Sequence, residues 1–327
     1  THEYGIEFVT VGNVNNPATL IPRPGTIGET MPAGSVNYEY RIGRLEITTG
    51  QWLAFVNTFS TQSDDLSFFA EPNFWGAGFD PEYDGPGIRW RLANVPNAEM
   101  RPVYGISWRE AAMYCNWLCN DQSSSLDALT HGAYDTSTFG RLPTLEFTDQ
   151  ATHSPGARFW IPTLDEWIKA VYYDPDHSGP GIGGWWQYPN SSNAPLLAGP
   201  PGFGQTNSGF TLPDFGHLDI PLASYPTVTT PYGLLDASGA NSEWNEFIFS
   251  PGFHEQRALM GARTGQQGYE PEWDQLGTIL ASLRPDNSTG GGFRVAAAVP
   301  AASPSGLCVL GSLIGLWRRP LRKEQST

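Results

Sequence analysis

The chain has 327 residues, 39% hydrophobic and 13% aromatic, enough for a sizeable core in one large domain or two modest ones. Its 37 Gly and 28 Pro follow no period, which excludes a collagen-like chain and favours a loop-rich globular fold. The net charge is −15, and Arg318, Arg319, Arg322 and Lys323 against Glu324 give the last ten residues +3, leaving −18 on residues 1–317, so nucleic acid is excluded as the main partner.

In chain order, "YEYRIGRLEI" (38–47) reads as a strand leading into a first helix. In "LEITTGQWLAFVNTF" Thr48 can accept from the amide of Gln51, whose side chain reaches back. Trp52, Phe55, Val56 and Phe59 then form an apolar stripe at helical spacing. "DPEYDGPGIRWR" (80–91) mimics the start of an EF-hand, with Asp80, Glu82 and Asp84 before Gly85. Its twelfth position is Arg91 rather than a bidentate Glu, so it reads as a solvated acidic loop. In "GISWREAAMYCNWLC" Ser107 and Glu110 repeat the reciprocal cap, and Trp108, Ala111, Ala112, Cys115, Leu118 and Cys119 share one face. Cys115 and Cys119 sit one turn apart on that apolar face and read as core thiols. A third helix follows in "WIPTLDEWIKAVYY", with Thr163 and Glu166 as the pair and Asp165 in the first turn, where negative charge suits the dipole.

Residues 173–232 are mostly turns, and "GGFRVAAAV" (291–299) reads as a closing strand. Between them "GLLDASGANSEWNEF" (233–247) spaces Asp236 and Glu243 seven apart around a glycine. By itself it fits a metal loop, an ordinary turn or part of an active site. The six histidines are scattered, with no pair at helical metal-ligand spacing, and there is no phosphate loop and no G-x-S-x-G. The elements add up to an α+β fold rich in irregular structure.

The last 29 residues, "VPAASPSGLCVLGSLIGLWRRPLRKEQST", combine a Pro/Ser/Ala spacer, an apolar run Gly306–Trp317 and a basic cluster. As a helix the run spans about 18 Å against the ~30 Å of a bilayer core. It reads either as a frayed tail or final buried strand, or as a membrane-directed segment with its arginines on the cytoplasmic side. The segment resembles the bacterial exosortase-dependent (PEP-CTERM) sorting signal, with Pro300-Ala301-Ala302 where Pro-Glu-Pro is usual. That resemblance implies export, envelope sorting and contact with a sorting machinery at the membrane, and divides the chain into 1–297 and a tail, 298–327.

The order "YRIGRLEITTGQWLAFVN", "RPVYGISWREAAMYCNWL", "WIPTLDEWIKAVYY", "PYGLLDASGANSEWNE", "GGFRVAA" resembles the formylglycine-generating enzyme (sulfatase-modifying factor) superfamily over roughly residues 7–297. The resemblance implies an elaborated C-type-lectin-like fold. It also implies a structural calcium at 236–243, with carboxylates from Asp236 and Glu243 and backbone carbonyls from Gly239 and Asn241. The alternative is a turn whose Glu243 is hydrogen-bonded in place without metal. Ala240 and Ser242 depart from the family pattern, where Asn and Trp are usual.

Oxidase members hold Cu(I) with two cysteines between the "WEW"-like loop and the final "GFR". Here residues 248–294 contain no cysteine, so no copper and no formylglycine chemistry are expected. The expected function is therefore an exported, envelope-associated, non-catalytic module or scaffold. It would bind a carbohydrate or protein ligand through aromatic loops 63–90 and 183–204, unless those tryptophans pack the loops' own small cores. The rival is an oxidoreductase or protein-modifying enzyme of the same family working without the cysteine pair.

Overall fold

A computed structural model describes residues 1–62, 71–210, 219–249, 256–263 and 269–300. The chain opens with β1 (His2–Glu3) and β2 (Ile6–Val11), the latter turning Ile6, Phe8 and Val11 inward. A separate ribbon, β3 (Thr19–Pro22) with β4 (Thr30–Ala33), follows, and then β5 (Tyr40–Gly43), buried throughout. The first helix, α1 (Thr49–Ser60), buries the expected stripe of Trp52, Phe55, Val56 and Phe59. A short ribbon, β6 (Ala77–Phe79) and β7 (Trp90–Leu92), leads to α2 (Trp108–Cys119) and the one-turn α3 (Asp127–Thr130). Then come β8 (Phe159–Trp160), α4 (Leu164–Tyr172) and the pair β9 (Tyr173–Asp174) and β10 (Gly184–Trp185).

All three helix starts expected from capping chemistry are present as complete capping boxes: Thr48 with Gln51, Ser107 with Glu110, and Thr163 with Glu166. Each satisfies two amide donors that the helix itself leaves unpaired.

The last third contributes β11 (Glu243–Phe249), β12 (Gln256–Met260), β13 (Ile279–Leu283) and β14 (Ala296–Ala298). Two sheets organise the molecule. The larger is antiparallel in the order β1-β2-β5-β14-β8, with Ile42 opposite both Val9 and Ala296, and Ala296 opposite Trp160. The smaller runs β11-β12-β13, where the sequence pattern alone indicates loop. One core joins the large sheet to α1 and α2 through aromatic contacts, including Trp52 stacked on Tyr114 at 5.7 Å. A second core lies between α4, the β3–β4 ribbon and Met260. The result is the expected α+β, loop-rich, C-type-lectin-like architecture.

Candidate functional site

Segment 236–243 lies between the two sheets. Three of its residues have left-handed backbone: Asp236 (φ 54°), Gly239 (φ 89°) and Ala240 (φ 47°). Gly239 is needed on two counts. Its φ disfavours a side chain, and a Cβ there would collide with Asn207 Oδ1, the atom that accepts the Ala240 amide at 2.8 Å. The segment ends as β11 begins at Glu243, whose carboxylate is fully engaged. Arg294 donates from Nε to Oε2 and from Nη2 to Oε1, both at 2.6 Å, and Trp167 Nε1 donates to Oε2 at 2.8 Å. The Arg294 and Glu243 side chains are 0% and 1% exposed. The guanidinium also donates to the carbonyls of Gly43, Arg44 and Leu235 at 3.1–3.3 Å.

The other expected ligands face elsewhere. Asp236 Oδ2 accepts the Ala223 amide at 2.6 Å, beside a small hollow of about 10 Å³, and burial pushes its carboxyl up to about 6. Asn241 clasps the buried Glu46, donating from its amide (3.2 Å) and from Nδ2 (2.6 Å), while its Oδ1 has no partner among the described residues. Burial, then the nearby Glu243 charge, hold Glu46 well above the ordinary carboxylate range. The side chains of Asp236 and Glu243 therefore do not fit a divalent ion as placed, since Arg294 already supplies the positive charge that Glu243 requires. Among the described residues no group of three or more His, Cys, Asp and Glu converges as a metal site.

A second constellation lies at the head of α4. Glu246, on β11, accepts from Tyr134 Oη (2.6 Å), from the His153 amide (2.7 Å), and pairs with His153 Nδ1 at 3.0 Å. His153 stacks on Trp160 at 4.5 Å between ring centroids. Burial pulls its imidazole pKa down, but the Glu246 hydrogen bond and charge outweigh this and leave it raised. Trp160 Nε1 in turn donates to Glu166 at 3.0 Å, as does Tyr38 Oη at 2.9 Å. Glu166 thus serves three purposes: it closes the capping box and anchors both rings. Asp165, beside it, accepts the Gly34 amide at 2.7 Å and remains exposed. A hollow of about 470 Å³ opens here, walled by Met31, Pro32, Leu164, Phe247 and Ile248, with Glu246 also contributing. It adjoins a second of about 450 Å³ at Thr163 and Asp165.

The model of the sulfatase-modifying factor enzyme 1-like domain matches residues 9–296. The chain belongs to that family. No curated protein matches it. The solved structure titled "Crystal Structure of CarF" is 16% identical, with a TM-score of 0.52, covering 90% of this chain and 99% of that one. Treponema denticola variable protein 1 is 15% identical, with a TM-score of 0.51 and 89% and 95% coverage. PvdO from Pseudomonas aeruginosa follows at 14% identity, TM-score 0.48 and 91% and 96% coverage. At these identities the first two likenesses establish the fold.

Within this sulfatase-modifying-factor-like domain, the remaining sequence candidates resolve as follows. Cys115 is fully buried and its thiol is pushed up by burial, while Cys119 donates to the Phe159 carbonyl at 3.4 Å. Met260 is buried in the second core. Asp80 lies 3.4 Å from Arg91 and 3.9 Å from Arg89, so the EF-hand-like loop pairs its acid internally. The loop tryptophans pack locally: Trp75 on Trp90 at 5.6 Å, Trp185 on Tyr173 at 5.0 Å, and Trp186 with Asp174 through Nε1 at 3.0 Å. Residues 63–70 of the first aromatic loop, His254 and His217, and tail residues 301–327 with Cys308 lie outside the described residues. Sequence reasoning missed the Glu246–His153 pair, whose members are 93 residues apart. The one available signal was the second acid of "SEWNEF", three positions after Glu243.

Proposed function

We propose that this sulfatase-modifying-factor-like domain is a non-catalytic, exported and envelope-associated module that binds a carbohydrate or protein ligand. The observation that carries the reading is the chemistry of residues 248–294. That stretch, where family resemblance places a thiolate pair for Cu(I), contains no cysteine. Soft monovalent copper needs soft donors, and the two cysteines of α2 are committed to the core and to a backbone carbonyl. Without the metal the framework retains a groove at the head of α4, of a size that suits recognition. Export and envelope association rest on the resemblance of residues 298–327 to a sorting signal. Among the described residues no helix is long and apolar enough to cross a membrane.

In this reading the structural role first expected of calcium at Asp236, Gly239, Asn241 and Glu243 falls to Arg294. Two measurements test the proposal together. Purified protein is incubated with Cu(I), oxygen and a Cys-x-Pro-x-Arg peptide, and oxygen uptake and aldehyde are followed. Melting midpoints are compared in calcium, chelator and Cu(I), since an ion bound only to the folded state raises the midpoint by mass action. Neither turnover nor a metal-dependent shift is expected. Sustained conversion of the peptide thiol would establish the oxidoreductase alternative, and a calcium shift would restore the metal loop.

A further inference from the structure

We propose that the β6–β7 ribbon is a self-association surface, through which two copies of this chain pair edge to edge along β6, antiparallel about Gly78. The inference is independent of the recognition reading above. Ladder parity shows which edge is open. The Ala93 amide donates to the Gly76 carbonyl at 2.8 Å and the Asp80 amide to the Arg89 carbonyl at 2.9 Å, with Gly78 opposite Arg91 between them. The amides and carbonyls of Ala77 and Phe79 therefore point away from β7, and they have no partner among the described residues. The outer edge of β7 is closed at Trp90, whose amide donates to Asn57 Oδ1 at 2.9 Å and whose carbonyl accepts from Asn57 Nδ2 at 2.8 Å. Exposed edges are commonly guarded by proline or charge, as Pro22 and Pro32 guard the β3–β4 ribbon. Ala77-Gly78-Phe79 carries neither.

The edge is complementary to itself, which selects a second copy as the occupant. A two-fold axis at Gly78 sets each Ala77 opposite the Phe79 of the other copy, and both pairs exchange their outward backbone hydrogen bonds. Phe79 is 59% exposed, and the small Ala77 leaves room for the facing ring over a hollow of about 520 Å³ lined by Ala77, Leu92 and Ala93. Leu92, 40% exposed, lies opposite Ala77 and shares its face. A Cβ on Gly78 would meet nothing within 4 Å, so the two backbones can close on each other at the axis. Segment 77–92 carries three acids and two arginines, nearly neutral in a chain of −15, so repulsion between like-charged copies is least here. A three-residue edge is small, and the dimer it makes is weak and concentration-dependent. Screening tightens such a dimer, whereas salt would loosen a basic partner held by the acidic body.

Sedimentation velocity on the full chain, from micromolar to millimolar concentration, should show a mass rising toward two chains, and at lower concentration in high salt than in low. Phe79→Lys should raise the dissociation constant about tenfold or more and leave the melting midpoint unchanged, because the ring is exposed in the single chain. Cross-linking reads the register. The Gly78 pair is the non-hydrogen-bonded one, with Cα atoms about 4.5 Å apart, within disulfide range. In a Cys308→Ser background, Gly78→Cys should therefore oxidise readily to a covalent dimer joined at position 78. Ile182→Cys, at a site equally exposed (59%) outside the ribbon, should not. A single-chain mass at millimolar concentration in high salt, or association loosened by salt, would overturn the inference. So would association of Phe79→Lys equal to that of the unmodified chain, or cross-linking at 78 no faster than at 182.

Discussion

Replacing Arg294 with Met isolates what holds the two sheets together. The substitution keeps much of the side-chain volume but deletes the guanidinium. Glu243, 1% exposed, then keeps Trp167 Nε1 as its side-chain donor among the described residues, close to a second buried acid, Glu46. Breaking a buried pair from one side costs about 3–5 kcal/mol, a large share of the ~5–15 kcal/mol that a domain commands. The three carbonyls that Arg294 serves at 3.1–3.3 Å also lose a partner. In guanidinium titrations at pH 7 the variant should lose about 3–5 kcal/mol, which corresponds to roughly 6–15 °C in melting midpoint. The double variant Arg294→Met, Glu243→Met should recover more than half of the deficit, because removing both charges leaves no uncompensated ion. A loss below about 1 kcal/mol, or a double variant worse than the single, would refute the view that the pair replaces a metal as the tie.

Further outcomes follow from the buried acids and the turn. Burial pushes Asp236 and Asp274 up to about 6 from an ordinary 3.8, so the folded state holds protons that the unfolded chain releases. Stability is then greatest below about pH 4 to 5, falls as pH rises through 6, and is lower at pH 7.5, by at most about 3 kcal/mol for each fully buried group. The raised His153, Glu46 and Glu166 act in the same direction. A denaturation series showing stability rising from pH 5 to 7.5 would contradict this, and Asp274→Asn should flatten the slope. Gly239→Ala should cost about 2 kcal/mol or more by thermal melt, since it meets both the positive φ and the Asn207 carbonyl oxygen.

The helices were legible because their signals are local. Thr48–Gln51, Ser107–Glu110 and Thr163–Glu166 are each three residues apart, and the periodic apolar residues follow at once. The ordered motif blocks carried the fold. What the sequence hid was partnership across distance. Asp236 and Glu243 look like co-ligands at a spacing of seven, but Arg294 arrives from 51 residues downstream of Glu243 and engages both of its oxygens. His153 gives no sign of Glu246, and Glu166, legible as a cap, gives no sign that Tyr38 and Trp160 converge on it. The β11–β12–β13 sheet escaped notice for a related reason. Its first strand grows out of a turn whose Gly and Asn dominate the local reading, and its ladder shifts register between Trp244 and Ile248.

The position of β14 has a temporal consequence. Strands Tyr40–Gly43 and Phe159–Trp160 are both hydrogen-bonded to Ala296–Ala298, which lies between them. Synthesis delivers that strand well after both of its neighbours, to an interior slot rather than a rim. Until it arrives, two bare ladders face each other across a gap, so a nascent chain should remain protease-sensitive and dependent on chaperones until Ala296–Ala298 emerge.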